Sequence, residues 1–440
     1  MKKVSIVGFG RFGKVLYRLL RDDFAVTLYN RNPITDELAS NTKVAKDIKE
    51  IYENENIFFA VPIASFEEVI ISHRKYFRDH HVLIDVLSVK EYPATVFRKH
   101  LRNLGTQAML THPMFGPDSS KNGFKDLPII MNQFTSDNEH YFFWKKFFAS
   151  KELSVIELSP QDHDKLASNS QGVTHFIGRL LKEIDFKPTA IDSLGSKKLL
   201  EVVDQTCNDT WELFINLQNY NKYTKSMRLR LGKAYDKLYN KLLPKRIDPK
   251  KIMYGIQGGI GSFNEEAVLS YVSANNIKDF SIKYLFTTEN VLKNLHEGNI
   301  DFGQFAIQNA VGGVVQESTY AMARYKFHIV DEFAILIKHC LMKRKDIDIA
   351  GIRNIMAHPQ NFRQCKDTLA KKYGSFTLLS GDGNLVDTAK AAQALSEKKI
   401  PEHTAILGPK NLARLYNLEI IEEDLQDNKE NFTTFFVVGR

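Results

Sequence analysis

Val4-Ser5-Ile6-Val7-Gly8-Phe9-Gly10-Arg11-Phe12-Gly13 is a short apolar run that breaks into glycines spaced G-x-G-x-x-G. Phe12–Arg21 then keeps helical spacing, with Val15, Leu16, Leu19 and Leu20 apolar. Strand, tight turn and helix in that order form the phosphate-binding corner of a dinucleotide site. Gly8 permits the turn, a side chain at Gly10 would block a pyrophosphate, and Gly13 lets helix and strand approach. The helix N-terminus faces the phosphates. Gly8, Phe9, Gly10, Arg11, Phe12 and Gly13 are therefore the expected cofactor-binding residues.

Further strands are expected at Ala25–Tyr29, Ile57–Val61 and Val82–Val86, with helices between them. That alternation implies a parallel sheet covered on both faces. The end of the second strand normally selects the cofactor, through an acid for the ribose hydroxyls of NAD. Here it reads Tyr29-Asn30-Arg31-Asn32, with no acid. Asn30 and Arg31 join the expected cofactor set, and Arg31 suits a 2′-phosphate. NADP is the expected cofactor, with NAD possible.

The chain has 440 residues, 43% hydrophobic and 25% charged, enough for two to four folded domains. A net charge of +8 over this length fits anionic metabolites at least as well as nucleic acid, which is not expected as a partner. Cys207, Cys340 and Cys365 lie far apart and build no disulfide framework, which suits a reducing compartment. No apolar run reaches the ~20 residues of a membrane span. Glycine follows Met1-Lys2-Lys3-Val4 too soon for a signal peptide, so a cytoplasmic protein without membrane contact is expected. No metal site is expected.

After Ser159-Pro160, a helix start, the sequence reads as long helices to about Leu243. Leu243-Pro244-Lys245-Arg246-Ile247-Asp248-Pro249-Lys250-Lys251 is basic and poor in apolar residues, as a linker would be. Strand-like runs return at Ile252–Ile256, Phe305–Ile307, Phe327–Val330, Ala334–Ile337 and Phe435–Val438. The expected organisation is a nucleotide-binding domain at 1–155, a helical domain at 156–243, a linker at 244–251 and a second α/β domain at 252–440.

Thr111-His112-Pro113-Met114-Phe115-Gly116-Pro117 puts a histidine in a loop stiffened by proline and glycine. An imidazole held there suits proton removal from a hydroxyl. This motif, the glycine turn and His163-Asp164 together resemble the prephenate/arogenate dehydrogenase family. Ser170-Gln171-Gly172-Val173-Thr174-His175 and Asn219-Tyr220-Asn221-Lys222 are closer to its plant arogenate dehydrogenases. The resemblance covers about 1–243. It implies a Rossmann domain plus a helical dimerisation domain, a homodimer, and prephenate or arogenate as small-molecule substrate. His112 would be the base and Ser88 would orient it, while Gln171 and His175 would bind substrate. An arginine that holds a carboxylate in bacterial members is replaced in Gly195-Ser196-Lys197-Lys198, where Lys197 keeps the charge.

A second set of stretches follows the linker: Gly258-Gly259-Ile260-Gly261-Ser262-Phe263, Ala306-Ile307-Gln308-Asn309-Ala310, Ala357-His358-Pro359-Gln360 with Gln364, and Asn431-Phe432-Thr433-Thr434-Phe435. Together they resemble prephenate or arogenate dehydratases over about 252–440. That resemblance implies a two-lobed α/β fold like a periplasmic binding protein, with its site in the cleft. Thr433 would assist departure of the ring hydroxyl, Asn309 and Gln364 would match the family's amides, and Phe263 would lie near the cleft. Charged neighbours differ: Gln308 stands for a glutamate and Thr434 for an arginine. Losing such partners costs roughly 10–100-fold where they support the reacting groups. Two readings stay open for this domain, a second enzyme and a non-catalytic regulatory binding module.

The Arg31 reading has a direct test. Arg31→Ala should raise the Michaelis constant for NADP far more than that for NAD; an equal effect on both contradicts it.

Overall fold

Strand β1 (Lys2–Val7) ends at Gly8, whose φ of +97° is open to glycine alone at low cost. A Cβ there would also lie 2.3 Å from the Ala60 carbonyl oxygen. Helix α1 (Arg11–Leu20) starts directly after the turn. Its Gly10 cap offers no side chain, so the first-turn N–H groups keep their donors free of side-chain caps. A Cβ on Gly13 would sit 2.3 Å from the Gly8 oxygen, whereas one on Gly10 would meet nothing within 4 Å. Gly13 thus serves packing, and Gly10 serves open space in front of the helix.

This computed structural model describes residues 2–243, 246–381, 385 and 387–440. Its chain divides into two units, Met1–Tyr235 and Asp236–Arg440. In the first, β2 (Phe24–Tyr29), β3 (Lys43–Val44), β4 (Asn56–Phe59), β5 (Val82–Asp85), β6 (Gln107–Pro113), β7 (Pro128–Asn132) and β8 (Ser154–Glu157) join β1 in one sheet. Its order is β3-β2-β1-β4-β5-β6-β7-β8, and only the β6–β7 pairing is antiparallel. The order reverses between β1 and β4, which puts the glycine turn at the switch point where such sheets bind ligands. Helices α2 (Phe66–His73), α3 (Glu91–His100) and α4 (Asn138–Ser150) cover the faces. Trp144 anchors one face: it is fully buried, stacks on Phe24 at 5.3 Å and donates from Nε1 to Asn56 Oδ1 at 2.8 Å.

The helical segment begins as the sequence indicates. Ser159 caps α5 (Pro160–Asn169) by accepting from Asp162 N. α6 (Gln171–Glu183), α7 (Leu194–Cys207), α8 (Trp211–Tyr220) and α9 (Thr224–Leu242) follow. The division between units falls inside α9, ahead of the basic stretch. Beyond it, Tyr239 stacks on His296 at 5.0 Å and Asp236 pairs with Lys326, so this end of the helix packs within the second unit. Pro244 and Lys245 of the expected linker lie outside the described residues.

The second unit has two lobes. β9 (Ile252–Ile256), β10 (Phe280–Tyr284), β11 (Phe302–Asn309), β12 (Gly313–Val314), β13 (His328–Leu336) and β19 (Phe432–Gly439) form one sheet, ordered β10-β9-β11-β19-β13 with β12 on β11. β14 (Cys340–Arg344), β15 (Asn354–Met356), β16 (Thr377–Leu379), β17 (Thr404–Gly408) and β18 (Leu418–Glu422) form the other, ordered β16-β15-β17-β14-β18. Two strands expected at Phe327–Val330 and Ala334–Ile337 are one strand, β13. Asp331 and Glu332 interrupt the apolar run without ending it, because β13 is an exposed edge and bulges between Ile329 and Asp331.

The glycine geometry separates folding from binding. Gly13→Ala should destabilise the first unit by about 1–3 kcal/mol, because a clash with backbone outweighs the gain in helix propensity. Gly10→Ala should leave the unfolding transition in place yet abolish tight dinucleotide binding. Thermal unfolding and a cofactor titration check both.

Candidate active sites

His112 is not in a loop. β7 pairs with β6 as far as Pro113, opposite Ile129, so the histidine occupies the last turn of the strand ladder opposite Ile130. It is buried, with Nδ1 2.8 Å from His163 Nε2. His163 Nδ1 lies 2.8 Å from Asp164 Oδ1. The Asp164 carboxylate also accepts from Lys90 N at 2.8 Å and Glu91 N at 2.9 Å, and Asn221 Nδ2 binds its main-chain oxygen at 2.7 Å.

These partners decide where the protons sit. A carboxylate only accepts, so His163 Nδ1 carries a hydrogen and neutral His163 Nε2 is an acceptor. His112 Nδ1 must then donate, which leaves the lone pair on His112 Nε2. The nitrogen of His112 that keeps a lone pair is therefore chosen by Asp164, two hydrogen bonds away. Burial holds the His112 pKa well below 6.5, and the nearby His163, Lys90 and His175 add to the effect. Burial also lowers His163, against the pull of Asp164.

Beneath the histidine lies a buried ion pair. Lys90 Nζ contacts Asp85 Oδ2 and the Thr111 carbonyl, and both side chains are at most 1% exposed. Asp85 additionally accepts from Leu87 N and Thr111 N. Removing either charge would strand the other, which costs far more than a surface pair is worth. Ser88 is half-buried beside this pair in sequence but has no hydrogen-bond partner among the described residues, so no hydrogen bond ties it to His112.

α6 presents Gln171, His175 and Arg179 at i, i+4 and i+8, on one face. Gln171 Oε1, His175 Nδ1 and Arg179 Nε are each buried without a hydrogen-bond partner. Three unmet polar atoms in a row suit a polar ligand. Arg179 also binds the Asp209 carbonyl and lies over the Trp211 ring at 4.6 Å. Arg179 was not evident from the sequence, although its spacing from His175 repeats that of Gln171. Lys197 is exposed on the first turn of α7 and does not act on His112.

At the glycine turn, Asn30 Oδ1 accepts from Phe9 N at 3.0 Å, so Asn30 braces the turn. Arg11 pairs with Asp118 at 3.1 Å and Asp209 at 2.9 Å. Arg31 is exposed and has no ion-pair partner among the described residues, leaving it free for an anion. The open space before Gly10, the uncapped helix start and the tight turn at Gly8 fit a dinucleotide pyrophosphate.

In the second unit, Asn309 Nδ2 donates to Thr433 Oγ1 at 2.8 Å and to Asn431 Oδ1 at 2.9 Å. Gln364 Nε2 reaches Asn309 Oδ1 at 3.3 Å, and Gln364 Oε1 accepts from Asn431 Nδ2 at 3.1 Å. Asn309, Gln364, Thr433 and Phe263 line a cavity of about 240 Å³ together with Gln257 and His358. Asn309 and Thr433 are directly opposite on β11 and β19, and so are Gln308 and Thr434. Neighbours along a strand face opposite sides, so the changed pair lies on the face away from Thr433. Gln308 is exposed, consistent with that side. Among the described residues no cluster of His, Cys, Asp or Glu is placed to hold a metal, and no helix is long and apolar enough to cross a membrane.

Comparison with known proteins agrees with both halves. A family model for the prephenate dehydrogenase nucleotide-binding domain matches residues 18–151, one described as TYRAAT1-like, C-terminal domain matches 180–251, and one for prephenate dehydratase matches 254–440. Arogenate dehydrogenase 1, chloroplastic, of Arabidopsis thaliana is 32% identical over 250 residues, 54% of this chain and 39% of that protein. Arogenate dehydrogenase 2, chloroplastic, of the same plant is 30% identical over 253 residues, 54% of this chain and 70% of that protein. Arogenate dehydratase/prephenate dehydratase 2, chloroplastic, also of Arabidopsis thaliana, is 30% identical over 141 residues, 32% of this chain and 35% of that protein. This chain thus spans well under half of the first and third of these relatives. It belongs to the prephenate/arogenate dehydrogenase family, and a prephenate dehydratase domain follows in the same chain. The nucleotide-binding domain implies a nicotinamide dinucleotide, NAD or NADP.

Two measurements check the histidine chain. Asp164→Asn should cut hydride transfer by roughly 10²–10⁴-fold, because the amide can donate to His163 and reverse the chain, while cofactor affinity holds. Only neutral His112 is a base, so activity should fall as pH drops through its lowered pKa. The acid limb of kcat/KM should then lie below pH 6.5.

Proposed function

We propose a bifunctional enzyme of aromatic amino acid synthesis. Residues 1–155 bind the dinucleotide, 156–243 complete the dehydrogenase, 244–251 link, and 252–440 form a dehydratase. The substrate of both halves is prephenate or arogenate. The observation that carries the dehydrogenase reading is the directed chain Asp164–His163–His112, which leaves a lone pair on a buried, neutral imidazole.

In the first reaction a nicotinamide held at the Gly8–Gly13 turn would supply the acceptor for the hydride of ring C4. His112 Nε2 takes the proton of the C4 hydroxyl as the C4–O bond becomes a carbonyl; when CO2 leaves, its bonding pair aromatises the ring and the oxygen takes a proton back from His112 to become the phenol. His163 keeps His112 in the tautomer that can do this, and spreads the positive charge toward Asp164 as it forms. Gln171 Oε1 offers an acceptor, His175 Nδ1 an imidazole nitrogen and Arg179 Nε a charged donor to the substrate's polar side chain. We read the cofactor as NADP, supported by unpaired Arg31 and the missing acid after β2.

In the second reaction Thr433 helps the ring hydroxyl leave as water while CO2 departs, with no change of redox state and no nicotinamide. The retained Asn309–Thr433–Gln364 network supports catalysis over a purely binding role. The changed residues support it too: Gln308 and Thr434 remove a facing glutamate and arginine together, on the other side of the sheet, so no unpaired charge remains.

We propose a homodimer, supported by exposed Ile184, Leu194, Trp211, Ile215 and Leu229 on the helical segment. A reducing, cytoplasmic setting is supported by three free cysteines.

The test is a panel of prephenate and arogenate with NAD, NADP and no nicotinamide, following both products. Thr433→Ala should lose dehydration by roughly 10²-fold or more while hydride transfer stays intact. Saturable aromatic ligand binding without dehydration in the wild type would instead assign the binding-module role.

A further inference from the structure

The amide network of the dehydratase cleft has a direction, fixed by the backbone. Val311 N and Gly312 N donate to Asn309 Oδ1, at 3.1 and 2.7 Å. A backbone N–H cannot accept, so the carboxamide oxygen faces that turn and the NH2 faces β19. Thr433 Oγ1 therefore accepts from Asn309 Nδ2, and its own hydrogen remains to be given away. No acceptor for that hydrogen exists among the described residues.

The same logic runs the other way. Gln364 presents its NH2 to Asn309 Oδ1, so its oxygen faces Asn431 and His339. His339 Nε2 lies 2.7 Å from Gln364 Oε1 and must donate. The ring is fully buried and stands edge-on to Phe263, with centroids 5.2 Å apart. Its backbone N–H is held by Gln426 Oε1 at 3.0 Å, and its Nδ1 has no partner. The histidine thus begins a chain in which every later member accepts on one side and donates on the other.

We propose that His339 is a positioning residue of the dehydratase, holding at Gln364 the orientation that matches the one the main chain sets at Asn309, so that the Thr433 hydroxyl hydrogen stays directed into the cleft. The proposal rests on the dehydratase reading above. Aligned donors polarise one another in a low-dielectric interior, so the chain also makes the threonine a better donor than a free hydroxyl. Without the His339 hydrogen, Gln364 loses a reason to keep its oxygen inward. A flipped Gln364 would push Asn309 to compete with the loop N–H groups.

The full-length protein tests this with His339→Leu and His339→Gln, the latter returning an N–H near the place of Nε2. Leu should lower dehydratase kcat by roughly 10–100-fold with KM nearly unchanged, as for other groups that orient reacting residues. Gln should restore most of the rate, and hydride transfer in the same samples should not move. Unchanged dehydration in the Leu variant, or equal loss in both variants, overturns the proposal. Nitrogen-15 NMR of the wild-type imidazole, assigned with the Gln variant, reads the tautomer without turnover. A hydrogen on Nε2 supports the chain, and one on Nδ1 overturns it even if the Leu variant fails to fold. A wild type that never dehydrates either substrate counts against the dehydratase reading, while the tautomer still decides the network.

Discussion

An ionised carboxylate can only accept hydrogen bonds, and the dehydrogenase half is arranged around one. Asp164 receives two main-chain N–H groups from the start of α3 and the imidazole of its own neighbour. It thereby fixes the helical segment to the nucleotide-binding domain and sets the tautomer of His163, hence of His112. Charge-assisted bonds of this kind are worth about 1.5–3 kcal/mol each, so one side chain serves both adhesion and the placing of protons. The second unit solves the same problem with a neutral group. There, two main-chain N–H groups fix the carboxamide of Asn309, and every later orientation follows from it. In both halves a group that cannot change role, a carboxylate in one and main-chain N–H donors in the other, dictates the protons of side chains whose roles can.

Much of the architecture was legible because its signals are local. The glycine turn, the capped start of α5 at Ser159 and the apolar runs of the sheet all lie within a few residues of the features they determine. His112, Asn309, Gln364 and Thr433 were picked out as candidate groups through their motifs. Their partners were less so. His163 was visible as half of a motif, but its bond to His112 spans 51 positions and depends on the sheet placing β6 beside α5. His339 sits between strands β13 and β14 with nothing around it in sequence to mark it.

Charge was the most misleading signal. Lys197 stands where sequence comparison looks for a cation, yet it points outward from α7. The buried cation of α6 is Arg179, on the face that already carries Gln171 and His175. Gln308 and Thr434 looked like damage beside the reacting groups, because a one-dimensional motif does not display pleating. Once β11 and β19 are paired in register, the two changes become a single event on the far face.

The edge strand β13 carries a separate consequence. Nine residues of unpaired strand edge form a ready template for another copy of the same sequence, the first step toward aggregates. Asp331 and Glu332, which made the run look like two short strands, put negative charge and a bulge in the middle of that template. Two such edges brought together would face like charges and mismatched spacing. The residues that obscure the strand in the sequence are thus suited to keeping the folded domain from polymerising through it.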